Sequence, residues 1–152
     1  MNPFNQTTPS TNAPPVSPAT QEKKLSVLVV DDHMLMRRIV TDHMRKLGFT
    51  EIEQAIHGDE AWSKLQAKTY DIILLDWSMP VLDGFAFLQR CRSDSRFDRI
   101  AIVMLTAECE QHNVLNALQA GANSYIVKPV SFDILAQKMQ NVVEWIERKR
   151  NG

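Results

Sequence analysis

LSVLVVDD, residues 25–32, is an apolar run that stops abruptly at two carboxylates, Asp31 and Asp32. The run is short, rich in β-branched residues and nearly continuous. That is the pattern of a parallel strand covered on both faces, not of a strand with one wet side. Three later runs repeat the design. Ile72-Ile73-Leu74-Leu75 is closed by Asp76, Ile100-Ala101-Ile102-Val103-Met104-Leu105 by Thr106, and Tyr125-Ile126-Val127 is followed by Lys128. A weaker strand, about Glu51 to Ala55, follows the stop at Gly48.

Helical periodicity fills the intervals. Met36, Val40, Met44 and Leu47 share a face in the first helix. Gly58-Asp59 leads into the second, with Ala61 and Leu65 inward, and Phe85 and Leu88 anchor the third. Val114, Leu115, Leu118 and Ala120 belong to a fourth, ended by Gly121. Ser131 has the character of an N-cap for the last helix, whose stripe is Leu135, Met139, Val142 and Ile146. Strand and helix alternate five times, so the expected class is α/β, a doubly wound parallel sheet with helices on both faces. In such sheets the carboxyl ends of the strands gather at one edge, and ligands bind there. Asp31, Asp32, Asp76, Thr106 and Lys128 are thereby expected in one pocket.

Each of these residues also has a plainer reading. Asp31 and Asp32 could cap the first helix, Thr106 could cap another, and Lys128 could form a structural salt bridge. Together they suggest more. Gathering carboxylates is costly because like charges raise one another's pKa, and a cation relieves that cost. Mg²⁺ prefers oxygen ligands and keeps several waters. An ammonium and a hydroxyl beside the acids suit the oxygens of a phosphoryl group. A carboxylate can itself take phosphorus as a covalent nucleophile.

Size and composition fit a single domain. The 152 residues carry 17 Lys and Arg against 18 Asp and Glu, so the near-zero net charge gives no strong pull toward nucleic acid or membrane. No apolar run approaches the roughly 20 residues of a membrane helix. Cys91 and Cys109 lack redox or zinc spacing and read as reduced thiols of a cytoplasmic protein. Residues 1–24 hold five of the seven prolines among Ser, Thr, Asn and Gln, and this stretch is expected to be a disordered tail ahead of a domain at 25–150. Only 22 residues follow Val130, room for one long helix and for no output domain.

From about Leu25 to Arg148 the chain resembles the receiver domain of response regulators, most closely the single-domain chemotaxis members. The matching segments are VLVVDD (27–32), MRRIV (36–40), LGF (47–49), DWSMPVLDG (76–84), TAE (106–108), QAGA (119–122) and YIVKP (125–129). The resemblance implies a flavodoxin-like sheet in the order 2-1-3-4-5. It implies that Asp76 is the phosphoacceptor. Mg²⁺ would be held by Asp32 and Asp76 directly, by Asp31 through water and by the backbone carbonyl of Ser78. Thr106, with the adjoining Ala107, and Lys128 would bind the phosphoryl oxygens. The Lys128–Pro129 bond would be cis. Tyr125 would swing inward as Thr106 moves toward the phosphate, a population shift between two packings. Switching from 1:99 to 99:1 needs about 5.5 kcal/mol. Two charge-assisted contacts at about 1.5–3 kcal/mol each supply most of it.

The implied partners are a histidine kinase as phosphodonor, a target protein such as a flagellar switch component, and a phosphatase, with no nucleic acid or membrane, the protein itself being a monomer. It would catalyse only its own phosphoryl transfer and dephosphorylation. The partner face would be the fourth helix, fifth strand and fifth helix, with Lys138 and Tyr125 in place. Glu110 and Gln111, however, stand where the enteric type carries two lysines, and Ser78 replaces an Asn. These departures leave open a stand-alone receiver outside motility, either a phosphorelay intermediate or a phosphate sink. A reading of another class, a Mg²⁺-dependent phosphohydrolase, lacks a dedicated acid/base residue. A GTP-binding reading lacks a GxxxxGK[ST] loop. His33, His43, His57 and His112 have no helical metal spacing and read as solvated or capping. Arg148-Lys149-Arg150 reads as a complement to a helix dipole.

Overall fold

The computed structural model describes residues 23–107 and 112–151. Five strands and five helices alternate: β1 (Lys23–Val30), α1 (Met34–Lys46), β2 (Phe49–Ala55), α2 (Gly58–Ala67), β3 (Ile72–Asp76), α3 (Gly84–Arg92), β4 (Ala101–Thr106), α4 (Val114–Gln119), β5 (Ser124–Val127) and α5 (Phe132–Asn151), with a 3-10 turn at Ser95–Phe97. All pairings are parallel, in the order β2-β1-β3-β4-β5. The reversal of strand order lies between β1 and β3, where a doubly wound sheet opens a crevice at its carboxyl edge.

Alternation along each strand splits the core into two layers. Val27, Val29, Ile72, Leu74, Val103 and Leu105 face α1 and α5, where Val40, Met44, Leu135, Met139, Val142 and Ile146 meet them. Leu28, Val30, Ile73, Leu75, Ile102 and Met104 face the other way, onto Ala61, Leu65, Phe87, Leu88, Cys91 and Ala117 of α2, α3 and α4. Every residue of β3 and β4 is buried, which is why those runs carry no polar alternation until their last residue.

Local differences from expectation have physical reasons. β1 starts at Lys23, inside the stretch read as tail, because the strand pairs with Phe49 as well as with the main ladder. Residues 1–22 of that tail, and the positions of Cys109, Glu110 and Gln111, lie outside the described residues. Phe87, fully buried, is the anchor of α3; Phe85 is half-buried and stacks on Trp77 at 5.4 Å. In α4 only Ala117 is buried, and Leu115 and Leu118 are exposed. The Ser131 hydroxyl accepts from the Ile134 N–H at 3.2 Å, as an N-cap should. No helix among the described residues is long and apolar enough to cross a membrane.

Candidate functional site

The ends of β1 and β3 place Asp31 and Asp76 side by side, since Val30 pairs with Leu75 and each carboxylate follows directly. Both are buried, whereas Asp32 is exposed. β5 delivers the counter-charge. Lys128 Nζ donates to Asp76 Oδ1 at 2.7 Å and lies 3.3 Å from Asp31 Oδ2. Its backbone N–H is fixed by the Thr106 carbonyl at 2.8 Å, so β4 sets the height of the lysine. The Lys128–Pro129 bond is cis, as the resemblance implied.

One ammonium does not satisfy two buried carboxylates. Asp76 Oδ2 finds no hydrogen-bond partner among the described residues, and Asp31 Oδ2 has only the Lys128 contact, without hydrogen-bond geometry. Burial pushes the Asp76 carboxyl up to about 6. The Asp31 charge adds to this, against the opposing Lys128 ammonium and a long contact from the Ser78 N–H at 3.4 Å. Burial disfavours the Lys128 ammonium, but its two carboxylate neighbours outweigh that and hold its pKa above the ordinary value.

The loop after β3 is tightly constrained. Gly84 donates its N–H to the Trp77 carbonyl at 2.8 Å. A Cβ at Gly84 would stand 2.2 Å from the Asp76 carbonyl oxygen, so only glycine lets α3 begin there. Val81 takes a left-handed φ of 70° and is almost wholly exposed, a costly conformation for a β-branched residue. The Asp83 carboxylate caps α3 through the Ala86 N–H at 2.8 Å.

Ligand atoms of Asp31, Asp32, His33 and Asp76 all lie within 4.8 Å of one another. The orphaned oxygens of Asp31 and Asp76 fit a hard cation that prefers oxygen donors and retains waters, as Mg²⁺ does. His33 has no metal-ligand spacing in the sequence, yet its Nδ1 is 3.4 Å from Asp32 Oδ1 and 3.6 Å from Asp31 Oδ1. Thr106 is fully buried at the end of β4, and its hydroxyl donates to the Ala107 carbonyl at 2.8 Å. Tyr125 is half-buried against the α2–α3–α4 side of the core, and Lys138 lies over its ring at 4.6 Å. The structure thus brings Asp31, Asp32, Asp76 and Lys128 together directly and joins Thr106 to them through the backbone.

A doubly wound sheet with an acidic pocket and a lysine at its carboxyl edge defines an α/β protein of the kind that binds its ligands at that edge. Residues 27–140 match the family model of the response regulator receiver domain, and the chain belongs to that family. It is 42% identical over 120 residues to the chemotaxis protein CheY1 of Helicobacter pylori, covering 78% of this chain and 97% of that one. Identity to the chemotaxis protein CheY of Pseudomonas aeruginosa is 36% over 120 residues, covering 79% of this chain and 97% of the relative. Among solved structures, the chemotaxis protein CheY4 of Vibrio cholerae superposes with a TM-score of 0.71 at 34% identity, covering 78% of this chain and 98% of that one.

Proposed function

We propose that the chain is a CheY-like response regulator of a two-component system, phosphorylated on Asp76 by a histidine kinase and signalling through phosphorylation-dependent protein binding in chemotaxis. The observation that carries this reading is the contact of Lys128 Nζ with Asp76 Oδ1, in a pocket where Asp76 Oδ2 and Asp31 Oδ2 are buried without a hydrogen-bond partner. A carboxylate oxygen of Asp76 attacks the phosphorus of a phosphohistidine. The O–P bond forms as the N–P bond breaks, and the electron pair leaves with the kinase imidazole. Asp76 must be ionised to attack, and the adjacent ammonium favours that form.

Asp31, Asp32 and Asp76, with the backbone carbonyl of Ser78, would hold Mg²⁺. When bound, the ion would neutralise charge on the transferring group. Lys128 is already placed to exchange its Asp76 contact for a phosphoryl oxygen. Thr106 must release the Ala107 carbonyl to reach the same group. That exchange would draw the end of β4 toward the phosphate and alter the space beside Tyr125. The partner face is α4, β5 and α5, including Tyr125, Lys138 and the sequence positions Glu110 and Gln111. The last two carry no lysine, so charge steering toward an acidic partner segment would be weaker there. A receiver serving as phosphorelay intermediate or phosphate sink is the second reading, favoured by those positions and by Ser78. The protein turns over no separate substrate and works in the cytoplasm as a monomer.

The direct test is incubation with a small-molecule phosphoryl donor and Mg²⁺, followed by intact mass. One added phosphoryl group in the wild type, absent in Asp76→Asn, is expected. No gain with any donor removes the proposal. Phosphate-dependent capture by a flagellar switch protein separates the two readings.

A further inference from the structure

We propose that His33 adds an imidazole nitrogen to the carboxylate cluster. The cation site would then take a borderline first-row transition ion, of the Co²⁺, Ni²⁺ or Zn²⁺ kind, in preference to Mg²⁺. This rests on the acidic pocket being a cation site. His33 holds the N-cap position of α1, but its side chain makes no capping hydrogen bond. The contrast with His57 is direct: at the N-cap of α2, the His57 Nδ1 accepts from the Glu60 N–H at 3.1 Å. The His33 ring is therefore not held by its helix. It stands over the pocket, largely exposed, with Nδ1 at 3.4 Å from Asp32 Oδ1 and 3.6 Å from Asp31 Oδ1.

Those distances distinguish two roles. An imidazolium paired with a carboxylate closes to about 2.7–2.9 Å in a charge-assisted hydrogen bond. Two donor atoms on one metal, each bonded at about 2.1 Å, stand about 3.0 Å apart around an octahedron and about 3.4 Å apart around a tetrahedron. The His33–Asp32 contact, at 3.4 Å, matches the second spacing. An imidazolium there would also leave Asp31 Oδ2 and Asp76 Oδ2 orphaned. A shared cation would answer both. Imidazole nitrogen gives nothing special to Mg²⁺ but favours later first-row ions, whose affinity for mixed nitrogen and oxygen sites rises toward nickel and copper.

The test titrates the full chain with Co²⁺ and, separately, with Mg²⁺, following tryptophan emission and the visible absorption of bound Co²⁺. His33→Asn is the informative variant, because Asn is itself a favoured N-cap and preserves the start of α1. Expected is tighter binding of Co²⁺ than of Mg²⁺ in the wild type, with excess Mg²⁺ displacing Co²⁺. His33→Asn should weaken Co²⁺ by at least about tenfold, the lower end of what a metal site loses with a supporting group, and leave Mg²⁺ within about twofold. Unchanged Co²⁺ affinity in His33→Asn overturns the proposal, as does loss of Co²⁺ only in His112→Asn. Equal loss of both ions overturns the selectivity. Absence of Mg²⁺ binding in the wild type defeats the cation site itself, a separate outcome.

Discussion

At the amino-terminal edge of the sheet, charge is matched almost group for group; at the carboxyl edge it is left open. Arg92, at the end of α3, donates to the carbonyls of Gly121, Phe97 and Ile100 and to Asn123 Oδ1, at 2.7–3.1 Å. Arg150 meets Asp71, Arg96 meets Asp94, and Glu53 takes both Lys68 and the Tyr70 hydroxyl. The same strands, at their far ends, bury two carboxylates that share one lysine. Satisfied polar groups hold a fold, while unsatisfied ones mark a place kept ready for something else.

The contrast predicts that truncating the best-satisfied group will cost the most stability. Arg92→Ala removes four hydrogen bonds that tie the end of α3 to the Ser95–Phe97 turn, the approach to β4 and the α4–β5 connection. A loss of at least about 3 kcal/mol is expected in urea unfolding, with Asp76 still phosphorylatable while the protein is folded. A loss under about 1 kcal/mol would mean that this edge is not held as its bonds suggest.

At the open edge the largest effect comes from backbone crowding. Gly84→Ala sets a methyl against the Asp76 carbonyl and the Trp77 Cα, at 2.2 and 2.9 Å. The expected cost is about 1–3 kcal/mol. Phosphoryl uptake should fall further than stability, because a shift near 1 Å in a reacting group can cost about a hundredfold in rate. Uptake at the wild-type rate would show that the loop absorbs the methyl without moving Asp76.

How far this edge could be read from sequence varies by residue. Asp31, Asp76, Thr106 and Lys128 stand out because each ends an apolar run, and parallel topology sends strand ends to one place. Sheet order followed from the family resemblance, and it matches the observed order. His33 was not legible: a histidine at a helix start reads as a cap, and only ring placement distinguishes it from His57. Phe87 was hidden behind Phe85, since neighbouring aromatics on a short helix leave the inward one undecided until packing is fixed. The Thr106 hydroxyl bond to Ala107 depends on a rotamer, which no residue pattern encodes.

A smaller effect separates the edges by pH. In the folded chain burial raises the Asp76 carboxyl to about 6, above an ordinary carboxyl near 4. The folded state therefore holds that proton more tightly than the unfolded one. The stability it contributes is complete below about pH 4 and is lost as pH rises through about 6. Without divalent cations the wild type should lose on the order of 1–3 kcal/mol between pH 4 and pH 7 from this group. In Asp76→Asn that part of the slope should vanish, and saturating Mg²⁺ should offset the loss in the wild type. Parallel pH profiles for wild type and variant would remove the open-charge account of Asp76.

The smallest effect tests the matched edge where it meets solvent. Arg150 Nη2 lies 2.8 Å from Asp71 Oδ1, but the arginine side chain is more than half exposed. Removing it in Arg150→Ala should cost less than about 1 kcal/mol, and added salt should erase the difference. Asp71 has a second task, since its Oδ2 accepts the Ser26 N–H at 2.8 Å. Asp71→Ala should cost more, by about 1–3 kcal/mol, and should keep most of that cost in high salt, because a backbone donor at the start of β1 loses its partner. Comparing the two single variants with the double variant isolates the ion pair from the backbone bond. If Arg150→Ala matches Asp71→Ala, the edge is held by its surface charges; if it falls well short, the backbone contact beneath them holds β1 to the start of β3.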